Sequence, residues 1–296
     1  MRGIHVLAFC AMASIGSAAN AQEIDWKKVD EAIGRSAAVV SGDVHRYAFP
    51  RSDLNVTLDG VTIRPALALG GWTAFKPMHG GVMIMGDLVL LETEINPVML
   101  KLIQNGAEIA AVHNHLLRSS PATFYMHVGG HGDPVKLATA IRTALAESKT
   151  PLTPPAPPAA QPAIDLDTAQ LDQIIGVKGQ ANSGVYQFAV PRRDPVSESG
   201  VQLSPVGPLG VATAIGFQPT GGSKAAITGD FVLTGEEVNP VIQALRSNGI
   251  EVTALHSHML DEQPRLFFMH FWANDDALKL ARGLRSALDK TASAKS

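Results

Sequence analysis

Apolar and polar positions follow the same order in two long segments of the chain. In the first segment, Val82 to Glu94 is an apolar stretch typical of a buried strand. Glu108 to Leu116 and Ala122 to Val128 read as two more strands around a short turn that contains proline. Asp133 is placed to cap a closing amphipathic helix. The pattern therefore predicts a strand-helix-strand-strand-helix core, an α+β layer with a small sheet and helices on one face.

The helices have recognisable start and stop signals. Asn96 is expected to cap the helix after the first strand, with Pro97 as its first residue, where a missing N–H costs little. Asn105-Gly106 is expected to end that helix in a left-handed conformation. A further helix is predicted at Trp26 to Ile33, with a weaker counterpart at Leu171 to Ile175.

The same motifs recur downstream at a constant offset of 143 residues. Upstream of Gly86 the match between the two segments is looser, with Ala48-Phe49-Pro50-Arg51 resembling Ala189-Val190-Pro191-Arg192. The recurring pairs are Gly86-Asp87 with Gly229-Asp230, Asn96-Pro97-Val98 with Asn239-Pro240-Val241, Asn105-Gly106 with Asn248-Gly249, and Met126-His127 with Met269-His270. Self-similarity at a fixed offset indicates a duplicated domain. We expect the two copies to form an internal pseudo-dimer.

The boundaries of the copies follow from composition. Residues 151–163 contain six prolines, a density that favours a stiff extended linker. We therefore divide the chain into residues 1–21, copy one at 22–150, the linker at 151–163 and copy two at 164–296.

Residues 1–21 have the features of a signal peptide. A basic Arg2 precedes the mostly apolar stretch Ile4 to Ile15, and Ala19-Asn20-Ala21 supplies the small residues that signal peptidase requires. We expect cleavage after Ala21 and a periplasmic or secreted protein. The one cysteine, Cys10, lies in this segment, so disulfides and cysteine-rich metal sites are excluded from the mature chain.

Charge and hydropathy exclude further classes of protein. The formal charge of −3 gives no cationic surface for nucleic acid. No later apolar stretch is long enough for a membrane helix, so no integral membrane segment is expected after signal cleavage.

The histidines are the candidate functional residues. His113 and His115 are two apart on a predicted strand and project from one face, which Ile109, Ala111 and Tyr125 should share. A hairpin that places His113 opposite His127 would bring three imidazoles within reach of one ion. A bulge in either strand would change this face assignment.

Both copies keep the three histidines and one glutamate, which predicts a metal site in each copy. The expected ligands are Glu94, His113, His115 and His127 in copy one, and Glu237, His256, His258 and His270 in copy two. Imidazole and carboxylate ligands suit a divalent transition metal, with zinc favoured and iron, manganese or copper as alternatives. Asp87 and Asp230 are candidates for orienting the rings.

Several functions remain open at this point. The site could only bind metal, or a bound water could be activated for hydrolysis with the glutamate as general base. Whether the protein is an enzyme is undecided. One alternative is a non-enzymatic small-molecule-binding module whose histidines form a buried polar network, and another is a structural or protein-partner domain.

One block of motifs resembles a known family. The stretch from Gly86 to Leu117, GDLVLLETEINPVMLKLIQNGAEIAAVHNHLL, and the PATFYMHVGGHGDPVKLA that begins at Pro121 are similar to the LppY/LpqO family. The resemblance extends over nearly the whole mature chain. It implies export and a domain that often occurs twice, and it implies no mechanism.

Overall fold

The computed structural model describes residues 23–153, 162–205, 209 and 211–293. The predicted signal peptide lies outside the described residues, as do residues 154–161 of the predicted linker.

Copy one contains eight strands and four helices. The strands are β1 (Ala38–Val40), β2 (Val44–Pro50), β3 (Thr57–Leu58), β4 (Val61–Thr62), β5 (Gly70–Met78), β6 (Gly81–Leu91), β7 (Glu108–His113) and β8 (Thr123–Gly132). The helices are α1 (Trp26–Ile33), α2 (Pro65–Ala68), α3 (Glu92–Gln104) and α4 (Pro134–Leu145).

Copy two repeats this order with one additional short strand, and its described residues contain no counterpart of α2. Its strands are β9 (Gln180–Asn182), β10 (Val185–Val190), β11 (Ser197–Glu198), β12 (Val201–Gln202), β13 (Thr213–Gly221), β14 (Lys224–Thr234), β15 (Glu251–His256), β16 (Glu262–Gln263) and β17 (Leu266–Asp276). Its helices are α5 (Thr168–Ile175), α6 (Gly235–Ser247) and α7 (Ala277–Leu288).

Each copy is built on one antiparallel sheet, which confirms the predicted α+β class and the duplication. The strand order is β1-β2-β5-β6-β8-β7 in copy one and β9-β10-β13-β14-β17-β15 in copy two. The sheets have six strands, because β1, β2 and β5 and their counterparts extend the predicted core. These extra strands lie upstream of the core, where the sequence match between copies is loose.

The helix after β6 begins earlier than predicted. Glu92 is its first residue, so Asn96 and Pro97 lie inside it instead of at its start. The reason is that the Glu94 carboxylate accepts a hydrogen bond from the backbone N–H of Leu91 at 2.8 Å and caps the helix there. The end is as predicted, with Gly106 at a φ of 82°.

The hairpin of β7 and β8 has a different register from the predicted one. Ala111 lies opposite His127, and His113 lies opposite Tyr125, with a bulge between Ile109 and Ala111. His113 and His127 still share a face, because the bulge precedes both pairs. Ile109 does not share that face: it packs against the helix-side core. The hairpin of β15 and β17 has the matching bulge, so His270 lies opposite Ala254.

The two sheets pack face to face with the helices outside. On the helix side of copy one, Ile84 and Met126 join Leu102 and Ile141 in one core. On the opposite face, residues of both copies share two apolar clusters. One cluster includes Ala74, Met83, Val232 and Phe268, and the other includes Val89, Tyr125, Ala226 and Trp272. The order of layers is therefore helices, sheet, sheet, helices.

Hydrogen bonds also join the copies. Gln218 Nε2 donates to the carbonyl oxygen of Thr62 at 2.8 Å, and Gln218 Oε1 accepts from the backbone N–H of Arg64 at 2.9 Å. Across the residues that the structure describes, no helix combines the length and apolar character needed to cross a membrane.

Gly229 is expected to be required for the close approach of β13 and β14. A Cβ at this position would lie 2.0 Å from the carbonyl oxygen of Ala214. We predict that Gly229→Ala lowers the free energy of unfolding by about 1–3 kcal/mol, because the strands must separate to admit the methyl group. Urea unfolding measures this effect.

Gly129→Ala is the matched control, since a Cβ there would find no atom closer than 3.9 Å. Equal stability of the two variants would contradict the prediction.

Candidate metal centre between the two copies

Eight polar side chains meet between the two sheets. They come in four pairs that correspond at the repeat offset: Asp87 with Asp230, His113 with His256, His115 with His258, and His127 with His270. Strand pairing explains part of this convergence, because Asp87 lies opposite His127 and Asp230 lies opposite His270. Directly opposed residues of antiparallel strands project from the same face with Cβ atoms about 5 Å apart.

Two equivalent triads lie within this centre. In each triad, an aspartate and two histidines offer ligand atoms that lie within 4.8 Å of one another. The triads are Asp87, His115 and His127 in copy one, and Asp230, His258 and His270 in copy two. In the second triad, His258 Nε2 lies 3.2 Å from Asp230 Oδ2.

His113 and His256 connect the two triads. Their rings stack on each other with centroids 3.5 Å apart. His256 belongs to two further groups with metal-ligand spacing, and both groups include residues of copy one. These groups are His113, His115, His256 and His270, and His127, His256 and His258.

Among the described residues, the three closest pairs of imidazole rings each join one copy to the other. The ring of His115 stacks on His270 at 3.5 Å, and the ring of His127 lies 3.8 Å from that of His258. The sequence predicted one site in each copy. The structure instead brings all six histidines into one centre that neither copy could build alone.

Aromatic rings enclose the centre on both sides. Tyr125 stacks on His115 at 3.4 Å, and Phe268 stacks on His258 at 3.5 Å. The Tyr125 hydroxyl donates to the carbonyl oxygen of Ala68 at 2.7 Å, which fixes the ring. Buried apolar walls around convergent polar groups are typical of a ligand or metal site.

Several buried ligand atoms of the centre have no hydrogen-bond partner among the described residues. They are Asp87 Oδ1, Asp230 Oδ1, His127 Nε2, His270 Nε2 and both ring nitrogens of His256. A buried polar atom without a partner costs about 1–3 kcal/mol. A cation bound among these oxygen and nitrogen atoms would satisfy them, so the residues fit a metal ion.

The tautomer of His270 is set by the backbone. Its Nδ1 lies 2.7 Å from the carbonyl oxygen of Gly229, which can only accept, so the proton is on Nδ1. The Nε2 lone pair is then free on the side of the ring that faces Asp230, whose Oδ1 is 3.8 Å away. A backbone carbonyl that orients a histidine in this way is a common feature of metal sites.

The buried imidazoles are held in their neutral form. Burial and the charge of neighbouring histidines lower the pKa of His113 to about 3, and the same causes hold the pKa of His115 and His127 well below the usual value. Burial also lowers the pKa of His270, against the opposing effect of Asp230. Neutral imidazole is the form that binds metal. Burial and the charge of Asp230 raise the pKa of Asp87, a carboxyl group that a bound cation would stabilise as the anion.

Glu94 and Glu237, which the sequence predicted as ligands, lie outside all of these groups. Arg51 donates to Glu94 Oε2 at 2.6 Å, and Arg192 donates to Glu237 Oε2 at 2.6 Å. The second oxygen of Glu94 accepts from the backbone N–H of Lys149 at 2.8 Å. Both oxygens are occupied, so this glutamate caps a helix and neutralises a buried arginine.

The sequence contained a signal for this ion pair. Arg51 and Arg192 recur within the loosely matched upstream motif, and a buried arginine requires a carboxylate partner. Asp87 and Asp230 also recur in both copies, and sequence reasoning gave them only a ring-orienting role.

The model of one domain family matches the chain twice, at residues 27–147 and 169–290. The family is described as Domain of Unknown Function (DUF1259). The chain belongs to this family. It carries the domain in tandem, in agreement with the duplication seen in the sequence and the fold.

Comparison with other proteins adds little about function. No curated protein matches the chain. Among solved structures, the chain is similar to the trimeric bacterial microcompartment shell protein PduB, with 15% identity and a TM-score of 0.21 over 86% of this chain and 89% of that chain. It is also similar to EtuB from Clostridium kluyveri, with 10% identity and a TM-score of 0.20 over the same shares.

The ion pair of Arg51 and Glu94 is expected to matter for stability. We predict that Glu94→Ala lowers the free energy of unfolding by about 3–5 kcal/mol, because it leaves a fully buried guanidinium without its partner. Denaturant unfolding measures the change. Glu92→Ala, an exposed position in the same helix turn, serves as the control and should change stability by less than about 0.5 kcal/mol. A small effect at Glu94 would show that Asp53 alone neutralises Arg51.

Proposed function

We propose that this protein binds two divalent transition-metal ions in one centre shared by its two copies. One ion is held by Asp87, His115 and His127, and the other by the corresponding triad of copy two. His113 and His256 lie between the ions and supply further nitrogen ligands. The observation that carries the proposal is the convergence of corresponding residues from both copies, with their ligand atoms buried and lacking hydrogen-bond partners.

The ligand chemistry narrows the choice of metal. Two imidazoles and a carboxylate form a ligand set for zinc or non-haem iron, and the mature chain offers no thiolate. Zinc is the first expectation, with iron, manganese or copper as alternatives. Two aspartates offset half of the charge that two divalent ions would bring into the buried centre.

Hydrolysis with Glu94 or Glu237 as general base is not part of this proposal. Both carboxylates bind buried arginines, so neither is free to move a proton at the centre. The proposed function is therefore metal binding, with no reaction assigned.

The alternative of a metal-free polar network has less support from the contacts. A network of this kind requires its members to satisfy one another. His113 Nε2 and His115 Nε2 lie 2.9 Å apart and form one such contact. Neither ring nitrogen of His256 has a hydrogen-bond partner among the described residues, although the ring lies at the middle of the cluster.

Metal analysis of the purified protein tests the proposal. We expect about two equivalents of one transition metal in the wild type, since each triad supplies three ligands. His256→Ala alone should lower the affinity of both ions by about tenfold or more, because this ring contacts both halves of the centre. The His113→Ala/His256→Ala double variant should bind both ions more weakly still, because only the two triads remain.

His79→Ala is the control, since His79 is exposed and outside the centre. If His256→Ala removed one ion and left the other at wild-type affinity, the two copies would hold independent sites. A wild-type protein free of metal after purification and after incubation with zinc would overturn the proposal.

We further propose that the chain is exported and that it belongs, within its family, with the LppY/LpqO proteins. Support comes from the basic and apolar start and from the motif that includes His113 and His115. Expression of the full chain in a bacterium with fractionation and N-terminal sequencing tests export. The expected product is a periplasmic or secreted protein that begins at Gln22, and a cytoplasmic protein with an intact N-terminus would contradict it.

A further inference from the structure

The two ends of the centre differ although they are built from corresponding residues. Beside His258 there is a cavity of about 30 Å³, lined among others by Met83, Glu108, Gly129, Glu198 and Met259. The corresponding space beside His115 is filled by a buried apolar cluster that includes Leu58, Leu116 and Trp272. One end is therefore open and the other is sealed.

The two ends differ most in side-chain size at one pair of corresponding residues. Trp272 of copy two corresponds to Gly129 of copy one at the repeat offset. Trp272 is 3% exposed and donates from Nε1 to Asp59 Oδ2 at 3.0 Å, so the indole is fixed across the sealed end. At the other end Gly129 has no side chain to occupy the same place.

The backbone does not require glycine at this position. Gly129 lies in β8 with a φ outside the left-handed region, and a Cβ there would be 3.9 Å from the nearest atom. A Cβ fits here without a clash, so the consequence of glycine at this position is the open space itself.

Polar contacts reinforce the seal beside His115. Arg118 Nη2 donates to Asp59 Oδ2 and to Glu251 Oε2, each at 2.9 Å. The hydroxyl of Thr253 donates to the carbonyl oxygen of His115 at 2.7 Å and fastens the loop that carries this ligand.

None of these contacts can form at the other end. Asp261 replaces Arg118 there, and Ala110 replaces Thr253. Ser199, in the turn between β11 and β12, takes the place of Asp59 in the turn between β3 and β4. The residues at the end beside His258 therefore cannot form the contacts that close the end beside His115.

The chemistry of the opening suits a cation. Glu108 is exposed at its rim, and Glu198 lies deeper, 9% exposed, with Oε2 lacking a hydrogen-bond partner among the described residues. The thioethers of Met83 and Met259 line the same space next to the imidazole of His258. A volume of about 30 Å³ accepts two or three water-sized groups, because a single water needs about 10–15 Å³. A drug-sized organic ligand would need about 300 Å³ or more.

We infer that metal ions enter and leave the centre through the opening beside His258, with Glu108 and Glu198 as passing ligands, while the end beside His115 stays closed. This inference rests on the proposed metal binding. Carboxylates along a narrow opening attract cations and pass them to the stronger nitrogen ligands inside.

Transfer of the sealing residue to the open end tests the route. The full chain and a Gly129→Trp variant are loaded with Zn²⁺, and release to an excess of a chromophoric chelator is followed by absorbance. We expect the bound stoichiometry to be unchanged and the release to be at least about tenfold slower, because exchange must then wait for local opening of the sheets. Gly129→Ala, which leaves the opening clear, should release zinc at the wild-type rate.

A second pair of variants tests the carboxylates without filling the core. Glu108→Gln should slow zinc uptake about threefold and weaken its dependence on salt, since one attracting charge is lost. Glu251→Gln, the corresponding change at the sealed end, should leave the uptake rate unchanged. If Gly129→Trp fails to fold, this comparison of uptake rates tests the entry route instead.

The outcomes separate the two proposals. If the wild type binds no metal, both the proposed function and the proposed route are wrong. If the wild type binds zinc and Gly129→Trp exchanges it at the rate of Gly129→Ala, the metal centre stands and the route is overturned. Equal uptake rates in Glu108→Gln and Glu251→Gln would also overturn it.

Discussion

The packing of the two sheets against each other brings together all the side chains of the candidate metal centre. Two apolar clusters, one around Met83 and Phe268 and the other around Tyr125 and Trp272, hold the sheet faces together. Between them, three pairs of imidazole rings meet across the contact with centroids 3.5 to 3.8 Å apart. The apolar surroundings keep water away from the rings and thereby keep them neutral, with lone pairs available as ligands. Separation of the sheets would remove the stacks and the ligand groups together.

The duplication made part of this centre predictable from the sequence. The recurrence of His113, His115 and His127 as His256, His258 and His270 identified all six imidazoles. Their shared face followed from the two-residue period of a strand. The bulge after Ile109 changed the face of Ile109 but not of the histidines, so the prediction of a common face for His113 and His127 held for a reason the sequence did not contain.

Retention in both copies could not distinguish a ligand from a structural residue. Glu94 was retained because Arg51, 43 residues away, is buried and needs a carboxylate, and that contact depends on the folded sheet. The sequence predicted only a ring-orienting role for Asp87, because the position of Asp87 opposite His127 depends on the pairing of β6 with β8. The face-to-face arrangement of the copies depends on contacts between distant segments. No local pattern reveals such contacts, so the sequence predicted two sites where the structure forms one centre.

A fused duplication permits an asymmetry that a symmetric dimer of identical chains does not. In such a dimer each end of the centre would carry the same residue, so both ends would be open with glycine or both closed with tryptophan. In one chain the positions of Gly129 and Trp272 can diverge independently, and here they differ between no side chain and the largest one. The exchange of Arg118 for Asp261 follows the same direction, because an arginine that bridges Asp59 and Glu251 at the closed end is replaced at the open end by a carboxylate, which cannot donate such hydrogen bonds. The eight candidate ligand residues are identical in the two copies whereas the residues around the ends differ, which is the pattern expected if a shared centre must be kept while only one side gives access to it.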